Sequence, residues 1–132
     1  MLEQALDEAR RLGARTELIH CRKVVRGTQG AFCQACSTPC SRQCFQGKPL
    51  EAAYELLSQA DGLLVGSPVY FGTVTGQLKA FWDKSRSLRS EKRLLNVVGG
   101  ALSVGSSRYG GQEGVLRTIN DIFLVHGMIS VG

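Results

Sequence analysis

Two stretches of this chain hold residues whose types and order could do chemistry. The first runs Gly66-Ser67-Pro68-Val69-Tyr70-Phe71-Gly72 and follows the apolar run Gly62-Leu63-Leu64-Val65. Pro68 fixes backbone direction, Tyr70 and Phe71 present flat surfaces, and Gly72 and Gly76 let backbone approach a ligand closely. That composition suits a planar heteroaromatic ring better than a phosphate. The second stretch holds Cys33, Cys36, Cys40 and Cys44 in the spacing C-x2-C-x3-C-x3-C. Thiolates this close in sequence can converge on one centre, as iron–sulfur clusters require. Zinc held by four cysteines is a second reading. Free or redox-active thiols in a loop that covers a substrate are a third, with Arg42 and Lys48 as basic neighbours that stabilise thiolates. Structural disulfides do not suit a reducing cytoplasm. The remaining cysteine, Cys21, stands apart from the four.

The elements that must position these groups follow from apolar periodicity. Leu2, Ala5, Leu6, Ala9 and Leu12 fall at helical spacing, and Gly13 stops that helix. Residues 16–20 read as a short strand and residues 21–48 as irregular. A helix opens at Pro49 and runs through Leu57. Residues 62–66 read as a buried strand and 76–86 as a helix with Leu78, Phe81 and Trp82 inside. Residues 94–98 read as the next strand, 99–111 as a glycine- and serine-rich loop, 113–126 as a helix, and 128–131 as a last strand. Such an alternation builds an α/β fold, a parallel sheet with helices on both faces. The chain reads as one domain, 1–132, with a cysteine-rich insertion at 21–48. Ligands of open α/β sheets sit outside the carboxyl ends of the strands. The loop after residue 66 and the loop after residue 98 therefore share one edge. In the second of these, Gly99, Gly100, Arg108, Tyr109, Gly110 and Gly111 are candidate contacts. His20 and His126 read as structural, since nothing pairs them with a nucleophile or a metal set.

The net charge is +5, from 16 basic and 11 acidic residues, with basic clusters at 10–11, 22–26 and 84–93. No nucleic-acid-binding motif accompanies them, so they read as a solvated surface with mild attraction for anionic cofactors. No apolar run approaches the roughly 20 residues of a membrane span. The acidic, amphipathic first residues are unlike a signal peptide, which makes the cytoplasm the expected compartment.

The block Gly66–Gly72, with the Gly76-Gln77-Leu78-Lys79-Ala80-Phe81 that follows, resembles the second flavin loop of the NADPH-dependent FMN reductases and iron–sulfur flavoproteins. A weaker resemblance extends from the first residue to the last. It implies a flavodoxin-like three-layer α/β/α fold in which Ser67, Pro68, Val69, Tyr70, Phe71 and Gly72 wrap the isoalloxazine ring of FMN. It implies that the loop from Gly99 and Gly100 to Gly110, Gly111 and Gln112 closes over the ring's pyrimidine end. FMN would take a hydride from NAD(P)H and pass electrons to a small acceptor. Iron–sulfur flavoproteins carry a compact cysteine motif in the place of Cys33, Cys36, Cys40 and Cys44, which implies a [4Fe-4S] cluster and ferredoxin as a partner. This chain departs from that motif at the second and third gaps. The resemblance further implies homodimers or homotetramers. An electron carrier or redox module that docks protein partners is the alternative function. The family's first strand and its Ser/Thr/Asn-rich phosphate loop do not precede the first helix here. The expectation is a chain only partly represented, with Met1 internal to a longer reading frame, or a partner chain that supplies the strand. A fragment that binds no flavin is a third expectation.

Overall fold

The structure is a computed structural model that describes residues 1–132. The elements are α1 (Leu2–Arg11), α2 (Cys21–Arg26), α3 (Pro49–Ser58), β1 (Gly62–Pro68), α4 (Gly76–Asp83), α5 (Arg86–Ser90), β2 (Val98–Val104), α6 (Gln112–Val125) and β3 (Ile129–Val131). The three strands form one parallel sheet in the order β1-β2-β3. Helices carry the chain from each strand to the next, as parallel pairing requires.

Local sequence explains the helices. Pro49 opens α3, and Leu50, Ala53, Tyr54 and Leu57 form its buried stripe. The Thr75 side chain caps α4 by accepting a hydrogen bond from the Leu78 amide at 3.2 Å. Val115, Ile119 and Phe123, spaced one turn apart, seat α6 on the sheet with no exposed surface. Beneath α3 and α4, the rings of Phe45, Tyr54, Phe81 and Trp82 meet edge to face at 5.2, 5.2 and 5.5 Å.

The two faces of the sheet differ. Leu63, Val65 and Ala101 lie on the face that packs against the core. The opposite face presents Leu64, Val98, Val104, Ile129 and Val131, each between 40% and 52% exposed. α1 touches it through Leu2, which lies over Gly66 where a Cβ would come within 3.0 Å.

Five expectations are corrected. Residues 16–20 form no strand: β1 pairs only with β2, so no ladder is offered to them. The strand expected at 94–98 starts at Val98 and runs to Val104. Leu94 and Val97 are core residues of the turn before it, where Lys92 and Asn96 take positive φ of 54° and 65°. Gly99 and Gly100 are strand residues, not loop. A Cβ on Gly99 would lie 2.8 Å from the Phe123 ring and one on Gly100 2.9 Å from Leu64, so close packing accounts for both glycines. The helix expected at 76–86 breaks after Asp83 and resumes as α5. Finally, the insertion opens with α2, whose Val25 reaches the core.

Candidate functional site

The carboxyl ends of β1 and β2 lead into two loops that meet. In the first, Ser67 is buried; its hydroxyl donates to the Pro68 carbonyl at 2.9 Å and accepts from the Thr75 amide at 3.1 Å. That hydroxyl ties the end of β1 to the start of α4. The Val69 amide donates to Val104 O at 2.9 Å and holds the loop against β2. Tyr70 and Thr73 exchange backbone hydrogen bonds at 3.0 and 3.1 Å, closing a tight turn. Its central residues, Phe71 and Gly72, both take positive φ, 50° and 77°, the mark of a type I′ turn. The turn leaves the Phe71 side chain fully in solvent, with Tyr70 more than half exposed.

The second loop runs from Gly105 to Gly111. Gln112 staples it: its Oε1 accepts from the Gly110 amide at 2.8 Å, and its Nε2 donates to Ser107 O at 2.7 Å. Glycines then permit contact with the first loop. A Cβ on Gly111 would lie 3.2 Å from Gly72 Cα, and one on Gly114 would lie 2.5 Å from Gly72 O. Tyr109 is 83% exposed, with the Arg108 guanidinium 5.7 Å from its ring centre. Three aromatic rings thus stand in solvent on two loops held together backbone to backbone. In register with Ser67, the Ser103 hydroxyl is buried near the same edge and has no partner in the chain.

Beside Tyr70 lies a cleft of ≈ 460 Å³. The start of α1, His20, Arg22, Gly66, Thr75 and Gln77 line it. A larger hollow of ≈ 590 Å³ lies at the start of α3, among Lys48, Glu51 and Glu55. It is shallow and far in sequence from the strand ends, so its size does not mark it as the site.

The cysteines fall into two environments. Cys21 opens α2 and packs on the core; burial pushes its thiol up to about 11, which leaves it unreactive. Cys33, Cys40 and Cys44 are half-buried, Cys36 is exposed, and none forms a disulfide. The Gln29 amide donates to Cys44 O at 2.8 Å and closes the neck of the loop that carries all four. Desolvation raises the Cys44 thiol, Lys84 opposes that shift, and the other three thiols reinforce it. The four sulfurs therefore share one electrostatic neighbourhood. Their donor chemistry suits a thiophilic metal, although no three of them gather around a common point in this structure.

The family model for NADPH-dependent FMN reductases matches residues 1–132. The chain belongs to that family. An iron-sulfur flavoprotein of Methanosarcina thermophila is 40% identical over 131 residues, which cover 97% of this chain and 66% of that one. An iron-sulfur flavoprotein of Methanocaldococcus jannaschii is 54% identical over 76 residues, 58% of this chain and 39% of its own. A protein named NAD(P)H dehydrogenase (quinone), from Chromohalobacter salexigens, is 39% identical over 77 residues, 58% of this chain and 38% of its own. Among solved structures, a flavodoxin, WrbA-like protein from Agrobacterium tumefaciens superposes with a TM-score of 0.57 at 25% identity. That match covers 60% of this chain and 50% of the other. The chain spans about half the length of the relatives it matches. Its fold is the flavodoxin-like α/β fold of this FMN reductase family.

Against that frame of family and fold, the structure brings Ser67, Pro68, Val69, Tyr70, Phe71 and Gly72 together with Gly110 and Gly111 at one edge. It places Gly99 and Gly100 at the opposite, amino end of β2. Cys33, Cys36, Cys40 and Cys44 lie on a separate loop. Sequence reading missed Gly114, because a glycine inside a helix gives no sign of which backbone it faces. It also missed His20 and Arg22 as cleft residues, since the strand assigned to 16–20 hid their position. Lys84, read as one of a basic cluster, is buried at 1% exposure.

Proposed function

We propose that this chain is the flavin-holding part of an FMN-dependent NAD(P)H oxidoreductase that passes electrons to a small acceptor. The observation that carries the reading is the meeting of the two loops: backbone and exposed rings form an edge suited to a planar ring. The family supports FMN as that ring's source. Ser67 to Gly72 would hold one side of the isoalloxazine, and Gly110 and Gly111 the other. Bound FMN supplies the hydride and electron chemistry. The chain's own groups bind and orient: Ser67 fixes the loop, Tyr70 and Phe71 cover the ring and exclude water, and Arg108 offers a cation to an anionic dinucleotide. Arg22 brings positive charge to the cleft beside Tyr70, which His20 also lines and where a phosphate would find the start of α1. No side chain need serve as a general acid.

The test is titration of the purified chain with FMN, followed by absorbance and fluorescence, then stopped-flow mixing with NADPH. Saturable binding and reduction by NADPH support the reading. A chain that takes up no FMN, or a bound flavin that NADPH leaves oxidised, sinks it.

The names of the archaeal relatives and the four-cysteine loop favour a second reading, an iron–sulfur flavoprotein that carries electrons between protein partners. Cys33, Cys36, Cys40 and Cys44 would be the ligands, supplying one-electron chemistry, with ferredoxin as donor. Rapid reduction by ferredoxin beside inertness to NADPH would select it. Either reading accommodates homodimers or homotetramers in the cytoplasm; the apolar sheet face that α1 leaves open supports association.

A further inference from the structure

The four-cysteine loop invites a metal, and its geometry does not fit one. A four-thiolate centre needs its sulfurs around one point: at a metal–sulfur distance of about 2.3 Å they lie within about 4 Å of one another. No three of Cys33, Cys36, Cys40 and Cys44 gather in that way. Cys36 is exposed while the other three are half-buried. The residues present therefore do not make a four-thiolate site as the loop stands.

The loop owes its shape to hydrogen bonds and an ion pair in which no cysteine sulfur takes part. At its neck the Gln29 amide donates to Cys44 O at 2.8 Å. Phe45, the next residue, is 2% exposed, with its ring on Tyr54. Beside Cys33, the Phe32 carbonyl accepts from Lys84 Nζ at 3.3 Å. Around Cys40, the Ser37 hydroxyl accepts from the Ser41 amide at 2.9 Å, and the Arg86 guanidinium donates to Thr38 Oγ1 at 3.4 Å. Between Cys40 and Cys44, Arg42 takes a φ of 62° and pairs with Glu91. Its carbonyl accepts from the Phe45 and Gln46 amides, each at 2.9 Å. Each of the four cysteines thus adjoins a residue held by such a contact. Drawing the sulfurs to one point would break several of these contacts at once. Loops organised by a metal are commonly unfolded without it; this one is closed and docked by protein groups alone.

We propose that this loop is a metal-independent brace, tying the α2–α3 connection to residues 84–91 through Phe32, Thr38 and Arg42, and that its four cysteines remain free thiols. The inference goes beyond both readings above and separates them. Without a cluster the second reading loses its one-electron centre. The first, a hydride taken from NAD(P)H, is then the one this chain serves.

The experiment has a metal arm and a variant arm. In the first, the thiol-reduced wild type is incubated anaerobically with Fe²⁺ and sulfide, desalted and assayed for both, and a separate sample is titrated with Co²⁺. The expected result is well under one iron or sulfide per chain and no sulfur-to-cobalt charge-transfer absorption. Iodoacetamide should alkylate the loop thiols as fast after treatment as before. In the second arm, a C33S/C36S/C40S/C44S variant should melt within about 3 °C of the wild type, and trypsin should cut at Arg42 at the same rate in both. About four irons and four sulfides per chain, or thiolate-bound cobalt, overturns the proposal. So does a serine variant whose loop is cut several-fold faster, because the sulfurs would then be what holds it. The metal arm needs no variant. FMN enters none of these measurements, so a failure here and a failure of the flavin reading show separately.

Discussion

Phe71 sits in a conformation that side chains resist. Its φ of 50° costs about 1 kcal/mol or more for a residue with a Cβ, and its ring is in solvent, so no packing in the chain offsets that cost. Such strain at a strand's carboxyl end points to a ligand for the ring. Phe71→Asn should raise stability to denaturant by up to about 1 kcal/mol, because Asn tolerates positive φ. It should weaken FMN binding at the same time. A variant that gains stability and binds FMN as well as the wild type would remove Phe71 from the site. Ser67 is the opposite case, held by packing and two hydrogen bonds. Ser67→Ala should cost about 1–3 kcal/mol in chemical unfolding, since the Thr75 amide loses its acceptor in a buried place.

At the scale of elements, the contact between the two loops depends on α6 beginning with little side chain. Gly→Ala inside a helix ordinarily stabilises by about 0.5–1 kcal/mol. Gly114→Ala should do the reverse, because the new methyl meets the Gly72 carbonyl at 2.5 Å. The first loop must move away, so FMN affinity should fall along with the melting temperature. A G114A chain more stable than wild type would show that the loops part at no cost. The same elements show what the sequence made legible. The stripes of α3 and α6 and the order of strand and helix could be read from periodicity, because one face of each helix is buried and the other wet. The loop after β1 could be read because its residue types are rare in combination. The start of β2 could not: Leu94 to Val98 looks like a strand by composition, yet Leu94 and Val97 are spent on the core while two glycines continue the strand. Glycine's usual association with loops pointed the wrong way, since what Gly99 answers is the Phe123 ring. For residues 16–20, β propensity counts for little without a neighbouring ladder to join.

For the whole molecule, one buried histidine sets the pH at which the packed layers loosen. His126 follows α6, and its Nε2 lies 3.0 Å from the Ser85 hydroxyl between α4 and α5. That hydroxyl donates its own proton to Trp82 O at 2.6 Å, so Nε2 must be the protonated nitrogen. Nδ1 is then a bare acceptor, buried and without a partner, with the Trp82 ring 5.3 Å away. A second proton would enter a buried site where the chain offers Nδ1 no acceptor. Burial, and secondarily the positive charge of Arg89, hold His126 below its ordinary 6.5. The unfolded chain thus binds this proton at a higher pH than the folded one. Stability is full above about pH 7 and is lost as pH falls below 6.5 toward the lower folded value, by at most about 1.4 kcal/mol per pH unit. The Glu55 carboxyl, held down by its hydrogen bonds to Arg93, adds its own loss only below its ordinary 4.5. The two windows therefore separate. Urea unfolding at pH 7.5 and 5.5 should show the wild type losing stability between them, while His126→Gln, which carries no proton to gain, changes much less. Equal losses in the two chains would place the acid sensitivity elsewhere than at the seam between α6 and the α4–α5 junction.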